Sequence, residues 1–163
     1  MSLAPLKGPL KVIQLPLVHW GWLIQRTGAQ ITENFKAIAA IDANDIIRGV
    51  VGYDNWTPNS VQCHMAVDTP AAWKALVYDN DAPAFRYPFE ECGRGIIIAV
   101  VHESNAASSK LVSHFGFTET HRILDGVKPG EALILYEMRK ADCRWLSRPT
   151  RVRPTLKVVS HGR

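Results

Sequence analysis

A chain of 163 residues, 47% hydrophobic and 21% charged, has the length and composition of one globular domain, long enough to bury roughly two thirds of its unfolded surface. Stability therefore needs neither metal nor disulfide, and the three cysteines, Cys63, Cys92 and Cys143, are odd in number and far apart, which argues for reduced thiols in a cytoplasmic protein rather than a zinc or disulfide scaffold. The net charge of +4 overstates the basicity of the body, because six of the 19 Lys and Arg lie from Arg144 onward, where there is no acid.

The composition divides the chain accordingly. Residues 1–146 read as a single domain, and 147–163 as a basic, extended or partly disordered tail. An unpatterned basic end such as Arg148, Arg151, Arg153 and Lys157 reads as solvated charge and argues against nucleic-acid binding. No apolar run reaches the roughly 18 residues of a membrane span, and no signal-peptide pattern is expected at the N-terminus.

Residues 10–17 suit a short strand stopped by Pro16. Residues 18–27, with Trp20, Trp22, Leu23 and Ile24, suit a short helix ended at Gly28. Two apolar runs, 35–41 and 46–53, flank the turn formers Asp42, Ala43, Asn44 and Asp45, which predicts a hairpin. After a turn over 54–59, residues 60–67 form a third strand. Along it Val61, Cys63, Met65 and Val67 face one way, and Gln62, His64 and Ala66 the other.

The pattern then becomes helical. Thr69 is an N-cap with Pro70 at the first helical position, and helical character runs to residue 91 with a break over 79–83 and a bend at Pro88. Residues 95–101 are uniformly apolar and largely β-branched, which suits a central strand covered on both faces. Ser104 or Asn105 opens a helix that stops at Gly116. Residues 117–124 and 132–138 are the last strands, joined by a loop. One strand, crossover and parallel strand among antiparallel neighbours predicts a mixed sheet of about six or seven strands in an α/β (α+β) fold, with helices on both faces.

This order, together with the run from Val100 to Phe117, resembles the GNAT N-acetyltransferases. That family has an Asn opening the helix, a small residue three positions on, and Gly-Phe at its end, matched here by Asn105, Ser108, Gly116 and Phe117. The resemblance covers roughly residues 35–146 and extends to small GNAT proteins of phages and prophages. It implies acetyl-CoA as cofactor and a small-molecule or peptide amine as acceptor. It also implies that Met65, Ala66 and Val67 present backbone to the thioester. Thr69, Ala71, Ala72 and Trp73 would then meet the pyrophosphate, and Asn105 and Ser108 the pantetheine arm. Two features depart from the family. The glycine loop that should hold the pyrophosphate reads Asp68-Thr69-Pro70-Ala71-Ala72-Trp73, and Val112 stands where a Tyr acid is often found.

Acetyl transfer also needs a base for the amine. His64, mid-strand, is the first candidate because an imidazole exchanges protons near neutral pH. Glu103, just before the Asn105 helix, is the second. Trp20 and Trp22 are expected near the acceptor, and Trp56 and Trp145 are candidates for a homodimer contact. The alternative expectation is a GNAT-shaped binding or structural protein without catalysis, in keeping with the missing glycines and tyrosine.

Overall fold

The computed structural model describes residues 5–30, 32–79 and 81–147. The expected tail, from residue 148 onward, lies outside them. Seven strands form one sheet: β1 (Lys11–Gln14), β2 (Lys36–Ile41), β3 (Ile47–Asp54), β4 (Ser60–Val67), β5 (Ile96–His102), β6 (Thr118–Lys128) and β7 (Glu131–Arg139). Their spatial order is β1-β2-β3-β4-β5-β7-β6. Every neighbouring pair is antiparallel except β4 and β5. The single parallel step falls where the sequence places its one helical crossover, as a parallel connection requires.

The helices divide between the faces. The helix α1 (Gly21–Thr27) ends at Gly28, whose φ of 67° is the left-handed geometry a helix stop favours. It buries Leu23 against Phe35, Ala37, Ala39 and Val50 on one face. The other face carries the larger core, including Val51, Tyr53, Val61, Leu76, Phe89, Ile97, Phe115 and Trp145. The alternation along β4 is as the sequence predicts: Cys63, Met65 and Val67 pack toward this larger core and Ala66 toward the α1 side.

The crossover is helical but not one regular helix. Its first piece, α2 (Pro70–Trp73), begins at Thr69, whose hydroxyl accepts the Ala72 N–H at 3.2 Å. It widens into a turn with five-residue closure, the Asp79 N–H reaching the Lys74 carbonyl at 2.7 Å. The second piece, α3 (Pro83–Arg86), widens in the same way where Pro88 lacks an N–H to donate. The last helix, α4 (Ala106–Phe115), runs from its cap Asn105 to Gly116 at φ 96°.

Three expectations are corrected. β5 is central but not equally covered: Ile97, Ala99 and Val101 are buried, while Ile96, Ile98 and Val100 are only half-buried, because α3 and α4 cover one face and α1 lies over β2–β4 rather than β5. The strand expected to end at Leu124 continues to Lys128, past an irregularity at Asp125 (φ 56°). The Asp125 side chain accepts the Gly130 N–H at 2.7 Å and closes the hairpin that the sequence suggested was a loop. Trp145, a candidate for a homodimer contact, is instead 2% exposed in the core.

The 42–45 turn also carries a buried ion pair. Arg48 reaches the Asp42 carboxylate at 2.7 Å, with both side chains at most 1% exposed. Burial pushes the Asp42 carboxyl up. The Arg48 guanidinium and the Asn44 and Ile46 amides outweigh burial and hold it below its ordinary value of 3.8. A depressed carboxyl stabilises the fold above its unfolded pKa and loses that contribution as pH falls through the folded one. Acid unfolding below about pH 4 is therefore expected to be less steep in Asp42→Asn than in the parent, at the cost of lower stability at neutral pH. Thermal unfolding measured from pH 2 to 7 checks this.

Candidate active site

The two central strands begin together and then part. Ser60, Val61 and Gln62 pair with Ile96, Ile97 and Ile98, and no pairing follows. Beyond that point β4 stays with β3 as far as Val67, and β5 stays with β7 as far as His102. Each strand keeps its outer ladder and gives up the inner one, so backbone groups of both strands are left facing a gap. A cavity of about 260 Å³ fills it.

The cavity opens toward both faces of the sheet. On the side of the larger core its walls include Cys63, Met65, Trp73, Phe85, Leu111, Val112, Phe115 and Phe117, with Asn105 and Ser108 from the start of α4. On the α1 side it is lined by Arg26, Thr27, His64, Val100 and His102. The slot thus joins an apolar half, topped by a helix start, to a polar half under α1.

His64 makes the central polar contact. Its Nε2 lies 3.0 Å from Asp54 Oδ2, with the side chains 17% and 3% exposed. The carboxylate accepts, so Nε2 carries the hydrogen, and Nδ1 is left as the basic nitrogen. The second oxygen, Asp54 Oδ1, is buried and makes no hydrogen bond among the described residues. Opposite His64 in the ladder is Gly52, where a Cβ would come within 2.3 Å of Phe35 Cζ and 2.6 Å of Leu23 Cδ2. Only glycine lets α1 and Phe35 close this tightly on the sheet beside the histidine.

Cys63 points to the opposite side. Burial first, then the nearby Asp54 carboxylate, push its thiol up to about 12. At neutral pH it is therefore a thiol and a poor nucleophile.

The helix starts are arranged differently from one another. Asn105 accepts the Ser108 N–H at 3.0 Å, and both residues line the cavity. At Thr69 the expected row of free amides is shorter than the sequence suggests. The Ala72 N–H bonds to Thr69, the Trp73 N–H turns to the Thr69 carbonyl at 3.4 Å, and the Ala72 side chain is fully buried. Of residues 71–73, Ala71 keeps the uncommitted amide. Asp68, next to this turn, is paired with Arg26 at 3.2 Å.

Of the remaining sequence candidates, Met65 and Trp73 reach the cavity, while Ala66 packs on the α1 side and Val67 against the larger core. Glu103 is not brought there. It is exposed, bonded to Arg122, and accepts the Ala132 N–H at 3.2 Å, so it clamps the end of β5 to β6 and β7. Trp20 donates to the Leu15 carbonyl and packs edge-on to Phe35, and Trp22 lies under the Arg26 guanidinium at 3.7 Å. Neither lines the cavity; α1 contributes Arg26 and Thr27 instead. Asp54, expected in a turn, is the residue sequence reasoning missed. Hairpin parity held the signal, since a strand pairing 54 with 62 puts Asp54 on the His64 face. Among the described residues no cluster of side chains suits a metal ion, and no helix is long and apolar enough to cross a membrane.

An antiparallel meander, one parallel step that splays, and a helix that starts at the splay with Asn at its cap together define the GNAT acetyltransferase fold. No family model matches the chain, and no curated protein matches it in sequence. Solved structures do match. One is spermidine/spermine N-acetyltransferase SpeG from Vibrio cholerae, at 12% identity and TM-score 0.63, covering 80% of this chain and 92% of that one. A point mutant of the same enzyme matches at 14% identity and TM-score 0.64, with 85% and 96% covered. A chimera of it with hSSAT matches at 13% and 0.65, with 86% and 100% covered. Such identities show a shared fold.

Proposed function

We propose that the protein is an acetyl-CoA-dependent N-acetyltransferase, a single domain over residues 1–146, that moves an acetyl group to a primary amine by direct attack in a ternary complex. The observation that carries this reading is the parting of β4 and β5 after Gln62 and Ile98, with a cavity in the gap. On the β5 side, the backbone between Met65 and Val67 has no strand partner and is proposed to offer a donor to an oxyanion, and the apolar half between β4 and α4 suits a pantetheine arm, with Asn105 and Ser108 at its end. Ala71 and the Thr69 cap are the donors proposed for phosphate. Arg26 supports them by neutralising Asp68, which otherwise repels an anion there.

Bound acetyl-CoA supplies the thioester carbonyl. His64 Nδ1 takes the proton that the attacking amine loses as the C–N bond forms, and returns it to the sulfur that leaves when the thioester C–S bond breaks, while Asp54 holds the ring through Nε2. Because the Cys63 thiol stays protonated, no acyl-enzyme is needed. The work is proposed to take place in the cytoplasm, in keeping with the three free thiols. Trp56, half-buried and donating to the Tyr53 carbonyl at 3.3 Å, is left as the residue proposed for a homodimer contact.

The test is a thermal shift with acetyl-CoA at millimolar concentration, followed by an amine panel with release of CoA as readout. A rise in Tm and turnover of at least one amine are expected. No shift with any acyl-CoA sinks the reading. The thinned donor row at Thr69 and Val112 in the cavity wall favour a second reading, a GNAT-shaped binding protein. It would give the shift without turnover. Direct attack has its own check: Cys63→Ala is expected to keep kcat within about threefold, and native Cys63 to resist iodoacetamide at pH 7.

A further inference from the structure

We infer that the amine accepted is a monoamine with an apolar or acid-bearing body, and that polyamines, the acceptors named for the structural neighbours, are excluded. This rests on the transferase reading. The α1 side of the cavity is its acceptor side, since it holds His64 and lies across the sheet from the apolar half. Its walls are Arg26, Thr27, His64, Val100 and His102, and none is an acid.

The two carboxylates bonded to this set are already engaged. Asp54 is buried against His64 at 3.0 Å, and Asp68 receives Arg26 through Nε at 3.2 Å and Nη2 at 3.4 Å. The guanidinium is further fixed by Nη1 on the Trp22 carbonyl at 3.2 Å and by the Trp22 ring beneath it. The mouth therefore presents a guanidinium already paired with its carboxylate and, among the described residues, no free carboxylate.

A polyamine carries a second ammonium a few bonds from the first. With one nitrogen at His64, the second lies in the mouth beside a guanidinium whose carboxylate partner is already engaged. It finds no free carboxylate there and gains no ion pair in exchange for the hydration it gives up. An alkyl or aryl body meets Val100 and the methyl of Thr27 at no such cost, and a carboxylate on the acceptor meets Arg26 favourably.

The experiment titrates phenethylamine and spermidine calorimetrically into the full-length protein saturated with CoA, alongside initial rates for both amines with acetyl-CoA. Phenethylamine is expected to bind at least tenfold more tightly and to be turned over with at least tenfold higher kcat/KM. Arg26→Gln and Arg26→Glu are expected to move the ratio toward spermidine, Glu more than Gln, by tenfold or more. The Gln variant leaves Asp68 without a like-charged neighbour, so the trend can be read even if the Glu variant folds poorly. Equal or preferred binding of spermidine, or a ratio unmoved in both variants, overturns the inference while leaving the transferase reading intact. Absence of any acetyl-CoA thermal shift overturns both, and a shift with no amine bound overturns the acceptor assignment.

Discussion

His64→Gln is expected to lower kcat on the order of 10²–10⁴-fold, the usual contribution of a positioned general base, while acetyl-CoA still raises Tm by its parent amount. Glutamine is the informative choice because of Asp54. That carboxylate is 3% exposed and has His64 as its one bonded partner among the described residues. Alanine at 64 would strand a buried charge and confuse a loss of rate with a loss of fold. A glutamine N–H can still donate to Asp54 Oδ2 but offers no basic nitrogen. Asp54→Asn makes the complementary change: it keeps the ring in place, removes the charge that fixes the Nε2–H form, and is expected to lower kcat by roughly tenfold or more with KM for acetyl-CoA unchanged. If His64→Gln turns over amines within threefold of the parent, the proton leaves by another route and the base assignment fails.

These two residues show where sequence reading reaches and where it stops. Strand β4 was legible from residue 60 to 67, with its two faces, because period-2 alternation and the flanking turn formers act locally. The caps Thr69 and Asn105 and the stops Gly28 and Gly116 were legible for the same reason, each being a requirement of the backbone beside it. His64 was visible as a chemically apt residue on a known face. Its partner was not, because Asp54 lies ten residues away in a stretch whose Asp-Asn-Trp-Thr-Pro-Asn composition reads as turn throughout. The pairing depends on how far β3 runs before the chain reverses. Glu103 failed in the opposite way. It is next to the right helix, but a strand end can turn its side chain toward either neighbour, and Arg122 on β6 decided the matter.

The uneven cover of β5 was equally out of reach. An unbroken apolar run reports that a strand is central, not which face a distant helix will cover. Ile96, Ile98 and Val100 share their strand with Ile97, Ala99 and Val101, yet α1 reaches only as far as β4. That shortfall has a functional side, since it leaves Val100 at the rim of the cavity rather than under a helix.

Trp145→Ala is expected to cost about 3–5 kcal/mol of stability, the range for removing a large buried aromatic, and to lower Tm on the order of 10 °C. The indole is 2% exposed. It lies parallel to Phe85 with centroids 5.8 Å apart, edge-on to Phe115 at 6.0 Å and to Tyr78 at 5.0 Å, and donates to the Phe115 carbonyl at 2.8 Å. Alanine removes the stacking area and leaves that buried carbonyl without its donor. Phe85 and Phe115 are also walls of the cavity, so the residue braces that cavity from outside it. The loss should therefore appear twice: as lower thermal stability and as a smaller rise in Tm with acetyl-CoA. Trp145→Phe retains the stacking and loses the indole donor, so it should recover most of the Tm and more of the ligand shift. A variant that loses stability but keeps the full acetyl-CoA shift would show that Phe85 and Phe115 hold their places without Trp145, and that the slot is set by the strands alone.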